Sequence, residues 1–278
     1  MVQRALKLEQ VAPKEWKFVR LPQEEALDEE FDRAVELMEE GKYEEAEKLL
    51  RFIIEQCPYH MDAHHHLALL KWEQMDMMGA LEEWGKAVEM GMASFPEDFV
   101  IGEDLLEWGW IENRPFLRAY HGLGILLFDA GRVDAAYLIF NQLLAMNPND
   151  NQGVRALAVE GAFALGMPED VLYICDTYKE DFLPDILYGR ALALLQLGRK
   201  QEAGQALKKA ISEFPLVAKE LLKKKHQLPK GMDMPYLTTG GPDEAYDYWQ
   251  RLGAYWKETE GALDFLKEIF TKKTSHEK

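Results

Sequence analysis

Four histidines crowd one short stretch, His60, His64, His65 and His66, and imidazole is a common ligand for zinc. Their spacing argues against a metal centre. His60 precedes the helix cap expected at Asp62, and consecutive helical residues point about 100° apart, so His64, His65 and His66 cannot converge on one ion. They are assigned to packing, with neither metal nor cofactor expected. Nucleophilic catalysis lacks its parts, since none of Ser94, Ser212 and Ser275 sits in a Gly-x-Ser-x-Gly elbow. The Gly122-Leu123-Gly124 triplet falls inside a helical stretch, and no Gly-x4-Gly-Lys loop is present to cradle phosphates. Carboxylate pairs such as Glu29-Glu30 and Glu44-Glu45 are neighbours on helices, where they face different ways and meet water. No enzymatic reaction is expected. What remains is recognition: Arg118 and Arg155 can each take a carboxylate through paired hydrogen bonds, with His65 or His121 as a further partner. The same two arginines can instead pair with Asp62, Asp150 or Glu160 and merely stitch neighbouring helices together. Both readings stand at this level.

The elements that would hold these groups are helical. The chain has 278 residues, 47% of them hydrophobic and 29% charged, rich in Ala, Leu, Glu and Lys, which favours helix and a sizeable core. A net charge of −17 repels phosphate backbones and anionic bilayers, so neither nucleic acid nor membrane is an expected partner. One stretch runs against that balance: Arg4, Lys7, Lys14, Lys17 and Arg20 outnumber Glu9 and Glu15. It reads either as a solvated basic tail or as a strap docked on the acidic body. Two cysteines, Cys57 and Cys175, lie far apart without metal-binding spacing, which excludes a disulfide framework. The first twenty residues lack a signal peptide's apolar core, and the longest apolar run, Gly122 to Phe128, is too short to span a bilayer. These features lead us to expect a cytoplasmic protein.

A repeat organises the chain. Gly41 to Pro58, Gly131 to Pro148 and Gly198 to Pro215 share the order turn, helix, stop. Glycine supplies the reversal, and proline ends the helix because it has no amide hydrogen to donate. Five residues after each glycine stands Ala46, Ala136 or Ala203, with Ala80 equivalent in a less obvious copy. In the preceding helices Ala34, Ala68, Gly124, Ala158 and Ala191 share one register, at separations of 34, 56, 34 and 33 residues. The long interval implies a 22-residue insertion, about 93–114, whose Leu105, Leu106, Trp108, Trp110 and Ile111 predict an extra short helix packed by its tryptophans. A fourth copy lacks the terminal proline, so its second helix is expected to be short or rotated. A sixth copy begins at Leu216, is interrupted over about 226–241 and resumes at Pro242, and a helix from about Thr259 to Phe270 caps the stack.

This pattern resembles the tetratricopeptide repeat, with Tyr120, Leu123, Gly124, Leu127, Gly131, Ala136, Phe140 and Pro148 at its motif positions. The resemblance implies an all-α, right-handed solenoid of about five to six helix pairs, with a helical insertion and a C-terminal capping helix. It divides the chain into a basic extension (1–22), the solenoid (23–270) and a tail (271–278). Two strings, Asn113 to Ala119 and Asn147 to Arg155, exceed what generic repeat packing requires. With the stretch from Ala210 to Leu266 they resemble the suppressor of tumorigenicity seven-like subgroup, which implies an interaction role without a defined reaction.

In such repeats the first helix of each pair lines the concave face. The corresponding stripe here reads Asp62, His65, Leu69 and Trp72, then Arg118, His121, Ile125 and Phe128, then Gln152, Arg155 and Val159, with Phe163 beside it. Polar groups occupy one end of the stripe and apolar groups the other, which suits a groove for an extended peptide or amphipathic helix from another protein. The alternative is a small-molecule or anion sensor built from Arg118, His121, Asn151 and Arg155. A third expectation is that the basic N-terminal segment occupies the groove and keeps it shut.

Overall fold

The computed structural model describes residues 6–230, 232 and 236–276, with backbone alone for 273–276. Arg4 of the basic stretch lies outside these residues, as do 231 and 233–235 of the interruption and 277–278 of the tail. The chain divides into two compact units, Met1–Val154 and Arg155–Lys278.

The first unit opens with a hairpin, which the sequence reading had treated as an extension. β1 (Leu8–Ala12) and β2 (Glu15–Phe18) run antiparallel, Leu8 opposite Phe18 and Glu9 opposite Lys17. A strand's period of two puts Trp16 and Phe18 on one face, where Trp16 meets Phe99 at 6.3 Å and Phe18 meets Phe116 at 5.5 Å between ring centres. The short helix α1 (Pro22–Glu25) follows, closed by the Glu24 carboxylate accepting the Leu21 amide at 2.9 Å.

Three helix pairs come next: α2 (Asp28–Glu39) with α3 (Tyr43–Gln56), α4 (Met61–Glu73) with α5 (Met77–Ala93), and α6 (Arg114–Asp129) with α7 (Val133–Met146). The small residues sit where the repeat demanded them, with Ala34, Ala46, Ala68, Ala80 and Ala136 wholly buried. A methyl group added at Gly124 would come within 2.7 Å of the Phe140 ring. The turn between paired helices is built identically in all three. Gly41 (φ 73°) and Gly131 (φ 74°) take the left-handed conformation, and the amide after each bonds back to Leu37 or Leu127 at 2.8 Å. In the second pair Met75 holds that position with φ 63°.

The insertion differs from expectation. Among the described residues, 94–113 contain no α-helix, only the single 3-10 turn Ile111–Asn113. Pro96 interrupts the chain and Gly102 adopts φ 100°, while the backbone groups find partners elsewhere. Leu105 accepts from Trp16 at 2.9 Å and donates to the Lys14 carbonyl at 2.7 Å, and Leu106 donates to the Met146 carbonyl at 2.8 Å. Bonds to the hairpin and to α7 thus replace those that a helix would have made internally.

In the second unit α8 (Val154–Ala164), α9 (Pro168–Thr177), α10 (Pro184–Gln196) and α11 (Lys200–Glu213) continue the pattern, with Ala158, Ala191 and Ala203 fully buried. α9 has 10 residues against 14 in α11, which realises the short alternative, rather than only the rotated one, left for the fourth copy. α12 (Pro215–Leu221), α13 (Pro242–Glu258) and α14 (Ala262–His276) complete the unit. α14 runs past Phe270, so part of the expected tail is helix. From α13, Arg251 reaches Asp185 of α10 at 2.7 Å and Glu160 of α8 at 3.2 Å, tying three helices together. No helix among the described residues is long and apolar enough to cross a membrane.

Candidate functional site

The histidines are absorbed one by one. His60, not Asp62, caps α4: its Nδ1 accepts the Ala63 amide at 3.1 Å. His64 is buried, with Nδ1 2.6 Å from the Glu83 carboxylate and Nε2 3.2 Å from the Pro58 carbonyl. His65 accepts the Trp84 indole N–H on Nδ1 at 3.0 Å, and His66 Nδ1 sits 2.8 Å from the Asp62 carbonyl. Among the described residues no three His, Cys, Asp or Glu side chains are placed to share an ion. Burial holds His65 well below the usual histidine range and pushes His60 down to about 4. Burial would raise Glu83, but bonds from His64 and Lys86 hold it below its ordinary value.

The polar end of the expected stripe comes together in the first unit. Arg118 of α6 bonds Asp62 of α4 at 2.5 Å, which realises the stitching alternative for this arginine. Behind that pair lies a cavity of about 350 Å³. Phe18, Val19 and Arg20 at the hairpin's end form one wall, and Glu24, Asp28 and Phe31 of α1 and α2 form a second. His60, Met61 and Asp62 close it at the start of α4, while Ile111 of the 3-10 turn and Pro115 and Arg118 of α6 close it from the other side. Sequence reasoning missed His60, Glu24 and the hairpin residues, because the contacts that gather them join positions far apart in the chain.

Several polar atoms around this cavity are left without partners. His60 Nε2, Asp62 Oδ1 and Arg118 Nε are buried without a hydrogen-bond partner among the described residues. His121, one turn along α6 from Arg118, has a buried Nε2 in the same condition, and burial lowers its pKa. Glu24 is raised by burial, against the bond from Leu21.

The apolar end of the stripe is half-buried: Leu69, Trp72, Ile125 and Phe128 all keep part of their surface. Trp72 packs edge-on against Trp84 at 5.7 Å, and Phe128 lies 6.2 Å from Phe140. Gln152 donates to the Leu117 carbonyl at 3.2 Å, and Asn151 is exposed. In the second unit Arg155 pairs with Asp181 and lies over the Tyr178 ring at 5.7 Å. Glu160, offered by the sequence as a partner for Arg118 or Arg155, is joined to Arg251 instead. Val159 and Phe163 are buried, Phe163 stacked on Tyr255 at 5.6 Å, so these two are packing residues rather than an open surface.

The basic N-terminal stretch is docked along residues 6–20. Asn113, fully buried, accepts the Phe18 amide at 3.0 Å and donates to the Trp16 and Glu107 carbonyls at 3.0 Å each. Lys17 lies 3.2 Å from Glu112 and 5.4 Å from the centre of the Trp110 ring, and Trp110 donates to Glu15 at 2.7 Å. Asn147 accepts the Trp108 amide at 3.2 Å. The two strings that exceeded generic repeat packing therefore anchor the insertion, and the first of them anchors the hairpin as well.

Solved structures share this fold. The chain is similar to YrrB, described as a TPR protein with an unusual peptide-binding site, at 17% identity over 70% of this chain and 93% of that one, with a TM-score of 0.51. It is also similar to pilF of Pseudomonas aeruginosa, at 18% identity over 89% of this chain and 100% of that one, with a TM-score of 0.51. At such identities the likeness concerns the fold alone, which is the all-α tetratricopeptide-like repeat that the glycine, alanine and proline spacing implied. No curated protein matches the chain. The suppressor of tumorigenicity seven likeness remains a resemblance of the quoted stretches, while a family model supplies the narrower assignment over residues 16–278. With that much of its length matched, the chain belongs to the family described as transcriptional repressor TCF25.

Proposed function

We propose that this chain is a non-catalytic interaction module that holds a segment of a partner protein against α4 and α6 of its first unit. The observation that carries the reading is the meeting of Asp62 and Arg118 beside a cavity with apolar walls. From there Leu69, Trp72, Ile125 and Phe128 offer a half-buried apolar track along the same two helices. A partner supplying one polar group for the cavity and an apolar edge for the track would use both. Membership of a family named for transcriptional repression supports a partner in the transcription machinery. A net charge of −17 favours contact through protein rather than through DNA phosphates. That setting is the nucleus, whereas the composition led us to expect cytoplasm, and imaging of the tagged chain separates the two.

Affinity capture from native lysate tests the reading, comparing wild type with Arg118→Glu and with the swap Asp62→Arg plus Arg118→Asp. The first variant sets two carboxylates side by side and should lose its partners. The swap restores an ion pair in reverse, keeps the fold and should still fail to capture them. Retention of every partner by both folded variants would remove the site from the interaction.

A further inference from the structure

Nearly all of the chain's acidic excess belongs to Met1–Val154, which leaves the second unit close to neutral. Within that unit, cations gather around one helix. α11 has a cleft on either side, and Gln205 lines both. The first, of about 300 Å³, lies between α10, α11 and the end of α9. Lys179, Arg190 and Lys209 line it together with the buried Ile186 and Leu187, and Asp176 is its one carboxylate among the described residues. The second, of about 540 Å³, lies between α11 and α14, where Lys200 and Lys208 stand beside Phe265 and Ile269 with no carboxylate in the described lining.

These cations are largely uncommitted. Arg190 is held by Asp176 at 2.9 Å. Glu202 of α11 and Glu268 of α14, chain neighbours of lining residues, are already bonded to Arg199 and Lys272 at 2.6 Å each. Lys209 reaches the Lys179 carbonyl at 3.4 Å, which keeps its ammonium at the cleft. Among the described residues Lys179, Lys200, Lys208 and Lys209 form no ion pair, and all four are exposed.

Their spacing selects among anions. From Lys200 to Lys209 the helix rises about 13 Å, too far for a single phosphate to meet both ends. An extended polypeptide covers that length in about four residues, so carboxylates recurring along a short segment match it. Nucleic acid matches it less well. Phe265 is the one aromatic ring in either described lining, and Lys200 already lies over it at 5.1 Å, so bases lack a face to stack on. A long polyanion also meets the −17 of the whole chain.

We infer that the exposed face of α11 is a second docking site, for an acidic polypeptide segment of a partner that also carries apolar side chains. Its carboxylates meet the four lysines, and its apolar side chains enter the clefts over Ile186, Leu187, Phe265 and Ile269. α11 is the second helix of its pair, so this face is separate from Asp62, Arg118 and the track on α4 and α6, and it stands or falls without them.

The test is fluorescence anisotropy of a labelled peptide of glutamates interrupted by leucines, titrated with the full chain. A peptide with serine in place of leucine and an oligodeoxythymidylate of equal charge are run beside it. The first peptide should bind, and should bind more weakly as salt rises. Lys208→Glu plus Lys209→Glu should weaken it about tenfold, while Lys224→Glu plus Lys225→Glu, an equal charge change outside the clefts, should alter it by less than about twofold. Serine for leucine should cost about fivefold. Equal loss in both charge variants, tighter binding of the oligonucleotide, indifference to leucine or no binding at all would each overturn the inference. If the reversal unfolds, Lys208→Gln plus Lys209→Gln removes the charge alone and should still cost about threefold, and unchanged affinity in that variant counts against the site just as firmly.

Discussion

The side-chain oxygen of Asn113 accepts the backbone amide of Phe18 at 3.0 Å, across 95 positions of sequence. Through this bond and two donated by the same side chain, a hairpin that reads as a charged extension becomes a wall of the first unit. Asn113→Leu should leave the Phe18 amide and the Trp16 carbonyl unmet and destabilise the hairpin's docking by about 2–4 kcal/mol. Hydrogen exchange of residues 8–18 checks it. Unchanged protection there would mean that the aromatic contacts of Trp16 and Phe18 suffice.

Gly122 lies under Trp84, a wholly buried indole. A methyl group at Gly122 would fall 2.5 Å from the Trp84 ring, and Trp84 is itself held by His65 and packed by Trp72. Gly122→Ala should therefore cost about 1–3 kcal/mol through overpacking, visible as a lower denaturation midpoint and a changed indole environment in near-ultraviolet circular dichroism.

Met75 offers the opposite sign. It is 78% exposed and occupies a left-handed turn position that glycine fills in the other pairs. Met75→Gly should raise stability by about 0.5–1 kcal/mol, because the strain relieved exceeds the added freedom of the unfolded chain. Urea denaturation with an unchanged slope is the measurement.

Acidification should weaken the first unit before any carboxylate titrates in bulk. His60, His65 and His121 have folded-state pKa values lowered by burial, His60 to about 4. The unfolded chain therefore takes up protons first as pH falls below about 6.5, and stability declines from there toward pH 4. His60 alone accounts for roughly 2 kcal/mol by pH 5 on this linkage. Burial raises Glu24 of the same unit, which opposes the trend as that group protonates. His60→Asn keeps a capping side chain without a titrating ring, so its melting temperature should change less between pH 7 and pH 5 than that of wild type.

The repeat itself was open to reading in the sequence, because its determinants are local. A glycine at a reversal, an alanine where two helices close on each other and a proline at a stop act through neighbouring residues, and their period survives in the one-dimensional string. Ala34, Ala68, Gly124, Ala158 and Ala191 are buried as that period required. The insertion and the hairpin were not legible in the same way. Trp108 and Trp110 suggested a helix by composition, but the backbone just before them, at Leu105 and Leu106, bonds to Lys14, Trp16 and Met146, partners that no periodicity reveals. The candidate site divides along the same line. Asp62 and Arg118 were marked by register on their own helices, whereas their pairing, the orphaned atoms beside them and the wall of Phe18 and Val19 exist only once distant segments pack. Hydrogen bonds and burial between remote parts of a chain depend on three-dimensional placement, and that is what the tertiary structure alone decided.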